Sequence, residues 1–270
     1  MTVPRNQMLD HITPVILTFN EEPNIKRTLS ALDWAKRIIV VDSGSTDNTL
    51  AILAEDPRVS VFSRKFDSHG EQWKFAVTQT DIRTDWVLRL DADYLVTPEL
   101  RTELASLNPN ASVSAYRITF DYAIYGRRLR GTLYPPNTVL FRKDRAAPSD
   151  RGHTESWTIE GRVAELKGRI LHDDRKPLAH WIIAQSRYTA REVPYLRTGR
   201  PSLANALRLR PPLMPLLSVL YCLFFKRLIL DGRAGLFYSL QRLLVETAVA
   251  LTVLEDQLTP EDKSISPRSE

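Results

Sequence analysis

What most constrains this chain is an alternation in its first hundred residues. Short apolar, β-branched runs that end in polar or acidic residues take turns with stretches carrying apolar residues at helical spacing. Ile12 to Thr18, Arg37 to Val41 (RIIVV), Val59 to Phe62 and Trp86 to Leu90 are the strand candidates. Between them, Glu21 to Ala35 places Ile25, Leu29 and Leu32 on one helical face, and Asn48 to Ala54 does the same with Leu50 and Leu53. Gly70 to Gln79 reads as a further helix, and Pro98 opens another at a favourable first-turn position. Short strands separated by helices predict βαβ units around a parallel sheet, hence an α/β fold. After Ala111 the pattern changes. Ser114–Tyr122, Arg128–Tyr134 and Thr138–Arg142 read as strands with no helix between them, and Ile159 to Leu171 as two more short strands. A smaller mixed or antiparallel element is expected there, followed by a helix from Ala179 to Leu196.

In open α/β sheets ligands bind beyond the carboxyl ends of the strands. The residues just after each predicted strand are therefore the first place to look. They are Asn20, Glu21 and Glu22; Asp42, Ser43, Ser45 and Asp47; Arg64, Lys65 and Asp67; and Asp91 and Asp93. One acidic strand end is routine helix capping, but four polar strand ends in succession predict a shared cleft. Asp91-Ala92-Asp93 has a direct use, because residues i and i+2 of extended backbone point to the same side. Two such carboxylates suit one hard divalent cation, and Mg²⁺ often takes only one or two protein carboxylates beside substrate phosphates and water. Asp42 ends an apolar run, where a carboxylate can accept from an N–H donor such as a pyrimidine imide or cap the following turn. G-x-x-x-x-G-K-[ST], G-x-G-x-x-G and H-E-x-x-H are all missing, which counts against P-loop, dinucleotide and zinc-protease chemistry.

Composition narrows the class further. The single cysteine excludes an intrachain disulfide framework and a cysteine-rich zinc site. The net charge of +5 does not by itself point to nucleic acid, and no aromatic interleaving of the nucleic-acid-binding kind accompanies it, so no nucleic-acid partner is expected. The first residues have no apolar core of a secretory leader. From residue 208 the chain is strongly apolar, but Leu213 to Phe225 is too short for an ordinary membrane span before Lys226-Arg227 interrupts it. The following piece sets Leu236, Leu240, Leu243, Leu244 and Leu251 near one face. A pair of in-plane helices on an anionic membrane surface is the expectation, against ordinary packing or a dimer contact. Residues 1–11 read as a lead and 259–270 as a loose polar tail.

The ordered set ILTFNEE, IIVVDSGSTDNT and WVLRLDADY resembles glycosyltransferase family 2, and within it bacterial enzymes that build lipopolysaccharide cores and related surface glycans. The likeness is strong over about residues 12–100 and looser to about 196. It implies the GT-A fold, a Rossmann-like mixed sheet with flanking helices, and inversion at the anomeric carbon. It divides the chain into a nucleotide-sugar-binding half at 12–110, an acceptor-binding half at 111–207 and membrane-associating helices at 208–258.

The same resemblance assigns roles. Thr18, Asn20 and Glu21 would border the nucleotide, Asp42 would contact the base, and Gly70 and Gln72 would lie in the next nucleotide-contact stretch, where Lys74 stands in place of the usual Asn. Asp91 would contact ribose or a metal-bound water, and Asp93 would bind Mg²⁺ or Mn²⁺ on the donor diphosphate. For the base, many relatives carry an acidic pair or His-Glu at the start of the acceptor half. Here Gly152-His153-Thr154-Glu155 departs from that spacing. Glu155 is the first candidate, Asp173 and Asp174 are the reserves, and His172 is a candidate to complete the metal shell. Basic residues Arg127, Arg128, Arg130, Arg142, Lys143 and Arg145 suggest phosphate recognition on an acceptor or a solvated hairpin.

The expected function is a metal-dependent inverting transfer of sugar from a nucleotide sugar, UDP-linked by the resemblance, to a lipid-linked or surface-glycan acceptor. The expected location is the cytoplasmic face of a bacterial inner membrane. The alternatives are a nucleotidyltransferase, disfavoured because ILTFNEEPN lacks a glycine-rich basic loop, and a non-catalytic sugar-nucleotide-binding scaffold.

Overall fold

A computed structural model describes residues 8–149, 156–198, 203–210 and 213–259. The elements in order are β1 (Ile12–Thr18), α1 (Ile25–Ser30), β2 (Ile38–Asp42), α2 (Thr49–Ala54), β3 (Val59–Ser63), α3 (His69–Thr78), β4 (Trp86–Asp91), β5 (Tyr94–Val96) and α4 (Pro98–Ser106). There follow β6 (Val113–Ile124), β7 (Arg127–Arg128), β8 (Asn137–Arg142), β9 (Ala146–Ser149), β10 (Ser156–Ile159) and β11 (Arg162–His172). The helices α5 (Leu178–Thr198), α6 (Leu203–Arg208), α7 (Leu213–Leu220) and α8 (Gly232–Leu258) close the chain.

One twisted sheet runs in the order β3-β2-β1-β4-β8-β6-β11-β5, with β7 paired to β6. The strands β3, β2, β1 and β4 are parallel, as the βαβ reading requires. β8 is antiparallel to both β4 and β6, and β11 is parallel to β6. β6 and β11 therefore run in the same sense as β1 to β4 and deliver their carboxyl ends to the same edge. Alternate residues of β2 feed the two faces. Ile38 and Val40 enter one apolar cluster with Leu29, Leu88 and Leu100, while Ile39 and Val41 enter the other with Trp73, Val87 and Phe141. Burial on both faces is why these strands read as unbroken apolar runs.

Several expectations change here. Most of the strands after Ala111 do not stand apart: β6, β8 and β11 extend the same sheet, and only β9 and β10 pair as a separate antiparallel ribbon among the described residues. The predicted strand at Arg128–Tyr134 reduces to the two residues of β7, because Gly126 turns the chain at φ +82 and the rest runs as a loop. Ile159 to Leu171 holds the end of β10 and one long strand, β11, whose register shifts between Glu165 and Arg169. The Glu103 carboxylate accepts from the Lys167 and Gly168 amides freed by that shift, which pins α4 to the strand. The helix expected over Glu21 to Ala35 covers only Ile25–Ser30, since Asn20 takes a left-handed φ of 53° and a turn from Glu21 to Asn24 precedes it.

The C-terminal helices form a hairpin. α7 runs into a π-helical turn at Tyr221–Phe225 and a 3-10 turn at Leu228–Asp231 before α8. Leu129, Cys222, Leu228, Ala234 and Tyr238 make a small core that seats this hairpin on β6 and β7. α8 buries Ala234, Tyr238, Val245, Val249 and Val253 on its inner side and leaves Leu236, Leu240, Leu244 and Leu251 outward. The apolar face read from the sequence is thus the outer one. Deeper in, Arg208 of α6 pairs with Glu192 of α5 and with Glu246 of α8, and Arg242 also reaches Glu246. Arg208→Ala is expected to leave buried Glu192 without its arginine and Glu246 with Arg242 alone, cost about 3 kcal/mol, and lower the thermal midpoint seen by circular dichroism. Gly235 is as constrained: a Cβ there would stand 1.8 Å from the Leu228 carbonyl oxygen. Gly235→Ala is expected to unseat the hairpin, read as new protease cleavage between α7 and α8.

Candidate functional site

The carboxyl ends of the parallel strands lie in register. Thr18 is opposite Asp42, Asp42 is opposite Ser63, and Leu17 is opposite Asp91. β1 alone separates the ends of β2 and β4, so Asp42 and Asp91 stand roughly 10 Å apart across the edge. The loops that follow are tied together. Asn20 accepts from the Thr46 amide at 2.8 Å and donates its own amide to Ser45 Oγ at 2.9 Å. The Glu21 amide donates to Thr49 Oγ1, and Glu22 accepts from Asn48.

Asp42 is buried and fully engaged. Its Oδ1 accepts from Thr18 Oγ1 and Ser45 Oγ, and its Oδ2 accepts from the Gly44 and Ser45 amides. A carboxylate offers about four lone-pair sites, and all four are filled. Asp42, expected to touch a base or to cap the following turn, anchors the SGST turn in this conformation. Gln72 does similar bridging work on the next strand, donating to Ser43 Oγ and the Arg64 carbonyl while accepting from Arg64 Nη1. Gly70 lies in the first turn of α3, which Ser68 caps through the Glu71 amide. These residues fall around the ends of β2 and β3.

The second cluster lies at the ends of β4 and β11. His172 Nε2 and Asp93 Oδ2 are 3.0 Å apart. Burial pulls the Asp93 carboxyl upward, but the charge and hydrogen bond of His172, with Lys176 behind, hold it below its ordinary value. The same partnership outweighs burial on His172 and raises it, with Asp91 and Asp174 adding to the effect. Three tyrosines box the imidazole: Tyr94 at 5.1 Å, Tyr122 at 4.6 Å and Tyr134 at 5.0 Å between ring centres. The Tyr94 and Tyr134 hydroxyls are themselves hydrogen-bonded. Tyr94 opens β5, whose pairing with β11 puts it opposite His172.

Behind this pair lies a polar network. Asn24, 0% exposed, donates to Glu21 and Asp174 and accepts from Arg27 and from the Arg175 amide. Asp173, 2% exposed, accepts from Arg27, from Arg175 twice and from the Gly126 amide. Asp173, a reserve candidate for the base, is thus held by two guanidinium groups and an amide. Asp174 is more open and borders a narrow cleft with Tyr122, Lys176, Trp181 and Phe237. Glu21 pairs with Lys176; burial and then the charge of Asp93 push its carboxyl up to about 7 against that pull. Glu155, with His153, lies outside the described residues.

Among the described residues, no group of three or more His, Cys, Asp or Glu side chains is arranged to hold a metal. Asp91 and Asp93 nevertheless fit a hard cation that draws its other ligands from water and phosphate. His172, the candidate to complete the metal shell, has its Nε2 on the Asp93 carboxylate and its Nδ1 buried without a partner. The sequence reading missed the supporting residues Asn24, Arg27, Lys176 and the tyrosine box. It also missed Arg89, two residues before Asp91, which is buried with Trp73 and Trp157 over its guanidinium at 5.4 and 5.6 Å. A charged residue inside the apolar run WVLRL was the available signal for Arg89; nothing local marked the others.

Residues 13–154 match the profile of Glycosyl transferase family 2. Among curated proteins, the chain is similar to an uncharacterized glycosyltransferase of Rickettsia bellii, 36% identical over 94 residues, which are 34% of this chain and 31% of that protein. It is also similar to the SPbeta prophage-derived glycosyltransferase SunS of Bacillus subtilis, 30% identical over 139 residues, 48% of this chain and 31% of that protein. The chain thus spans about a third of the length of the curated relatives it matches. Among solved structures it is similar to S. aureus TarS 1–349 in complex with UDP-GlcNAc, with 14% identity, coverage of 89% of this chain and 92% of that one, and a TM-score of 0.49.

Removing the carboxylate of Asp173 leaves Arg27 and Arg175 without their shared anion. Asp173→Ala is expected to cost about 3 kcal/mol or more in urea unfolding, while Asp173→Asn, which keeps the acceptor oxygen, costs less.

Proposed function

The chain belongs to glycosyl transferase family 2, and on that footing we propose that it moves a sugar from a nucleotide sugar to an acceptor hydroxyl with inversion. We read the donor as UDP-linked and the acceptor as lipid-linked or a nascent surface glycan. The observation that carries this reading is the meeting of Asp91, Asp93 and His172 at the edge where the Asp42 and Gln72 turns also end. The roughly 10 Å between the two clusters suits a nucleoside lying along the ends of β1 and β2 with its diphosphate toward Asp93.

Asp93, with Asp91 beside it, would hold a Mg²⁺ or Mn²⁺ ion. Such an ion, when bound, neutralises the charge that develops on the departing nucleoside diphosphate. Asp93 keeps its negative charge because His172 pairs with it, and the tyrosine box fixes the imidazole. Arg89 brings positive charge to the same strand end. Thr18, Asn20 and Glu21 shape the nucleotide side through the turn that Asp42 anchors. Glu155 is the proposed base that takes the acceptor proton. Asp174, on its cleft beside Lys176, is the reserve. A positioned base contributes roughly 10²–10⁴-fold.

We further place the protein on the cytoplasmic face of a membrane through its C-terminal hairpin. The stretch Leu228–Leu258 is long and apolar enough to cross a bilayer by length and composition. Its inner side packs on the catalytic part, so we read it as lying in the interface rather than across it.

Calorimetric titration with UDP and GDP, with and without Mn²⁺, tests the donor and the metal together. UDP is expected to bind in a Mn²⁺-dependent way, and Asp93→Asn to abolish that dependence and slow turnover of a UDP-sugar by roughly 10²-fold or more. Folded protein that binds neither nucleotide would return the scaffold alternative to first place.

A further inference from the structure

The loop after β7 and the π-turn after α7 enclose a cavity of about 430 Å³. Tyr122 and Tyr134 form its inner wall, and both rings also touch His172. Arg130, Arg169, Lys226 and Arg227 bring positive charge to it, and Phe225, 72% exposed, stands at its rim. Part of that charge is answered inside the protein. Asp121, also on the lining, pairs with Arg169 and Arg128, and Arg130 pairs with Asp231. Lys226 and Arg227 have no carboxylate partner among the described residues. Lys226 lies over the Tyr221 ring, and Arg227 is held in the left-handed region at φ 59°. That conformation is uncommon for a residue with a side chain and persists only where the surroundings enforce it. Gly131 lets the chain pass close here, because a Cβ there would stand 3.1 Å from the Lys226 carbonyl oxygen.

Two unanswered cations therefore sit where a ring-lined cavity meets an apolar surface. Beyond the rim, Leu216, Leu220, Phe224, Ile229 and Leu230 are all exposed. A neutral soluble sugar would use neither the charge nor the apolar surface. An anionic headgroup carrying an acyl or prenyl tail uses both: ammonium and guanidinium groups pair with phosphate oxygens, and the tail covers the exposed side chains.

We propose that this cavity receives the phosphorylated headgroup of a lipid-linked acceptor, with its tail against the π-turn and its acceptor hydroxyl directed past Tyr134 toward Asp93. The proposal rests on the transferase reading above and adds the site and the chemical class of the acceptor. Co-sedimentation with vesicles of phosphatidylcholine alone, or of phosphatidylcholine with phosphatidic acid, tests it on the full chain. The wild type is expected to prefer the phosphatidic acid vesicles. Lys226→Gln with Arg227→Gly, the latter suited to the left-handed backbone, is expected to weaken that partition about 30-fold, from about fivefold per basic residue. Phe224→Ser with Phe225→Ser is expected to weaken binding to both kinds of vesicle. UDP titration of each variant reports whether the catalytic part is intact, and unchanged UDP affinity is expected. Equal binding of wild type and the Lys226/Arg227 variant to anionic vesicles would overturn the proposal. So would a thermal shift with soluble glycerol phosphate in protein that ignores both vesicles, since the ligand would then be a free phosphate. Wild type that binds vesicles as expected but no nucleotide would remove the transferase reading, and with it the acceptor role of the cavity.

Discussion

The arrangement depends on one buried amide. Asn24 sits after β1, near the start of the chain's parallel half, yet it holds Asp174 and the Arg175 backbone, which follow the last strand of the sheet. It also holds Glu21 and Arg27, so the amide presents its donors to two carboxylates and its oxygen to two donors. No other neutral side chain of that length does both, and a buried polar group left half satisfied costs more than an apolar one. Through Asn24 and Asp173 the end of β11 is clamped against the ends of β1 and β4. His172 faces Asp93 as a consequence.

Electrostatics then divide the labour among the acids. Asp42 and Asp173 are surrounded by donors and serve as anchors. Asp93 pairs with His172, with Asp91 close by and the charge of Lys176 behind. Glu21 is pushed up toward neutrality by burial and by Asp93, and Lys176 keeps it paired. The proposed transfer from a nucleotide sugar would use this division, since it needs charge at the diphosphate and rigidity around the nucleoside. The hairpin of α7 and α8 adds an outward apolar surface that neither the sheet nor the site requires for its own packing.

Much of this was legible in the residues. Fully buried parallel strands show as continuous apolar runs, so β1, β2 and β4 stood out, and the acids that end β2 and β4 fell at one edge as expected. Strands of the later part were seen, but their place was not. Whether β6, β8 and β11 build a second sheet or extend the first is decided by pairing between residues far apart, which no local pattern encodes. The strand β5 is three residues long and hides inside a turn. Asp173 was singled out as an acid, yet its role was set by Arg27, distant in sequence. The outer face of α8 was read as one apolar stripe, while the inner stripe that packs on β6 and α5 was not separated from it, because the helix is apolar on both sides.

The strand order carries a consequence for how the molecule is made. β4, with Asp91 at its end, pairs on one side with β1, but its other neighbour is β8. Until Asn137–Arg142 leaves the ribosome, β4 is a bare edge of buried-type sequence, ready to pair with the wrong chain. The acids are therefore present early on an unfinished sheet, and the histidine that pairs with one of them arrives only with β11. A nascent chain of this protein holds the beginnings of its chemistry long before it is shielded, and quality control during synthesis has most to protect in that interval.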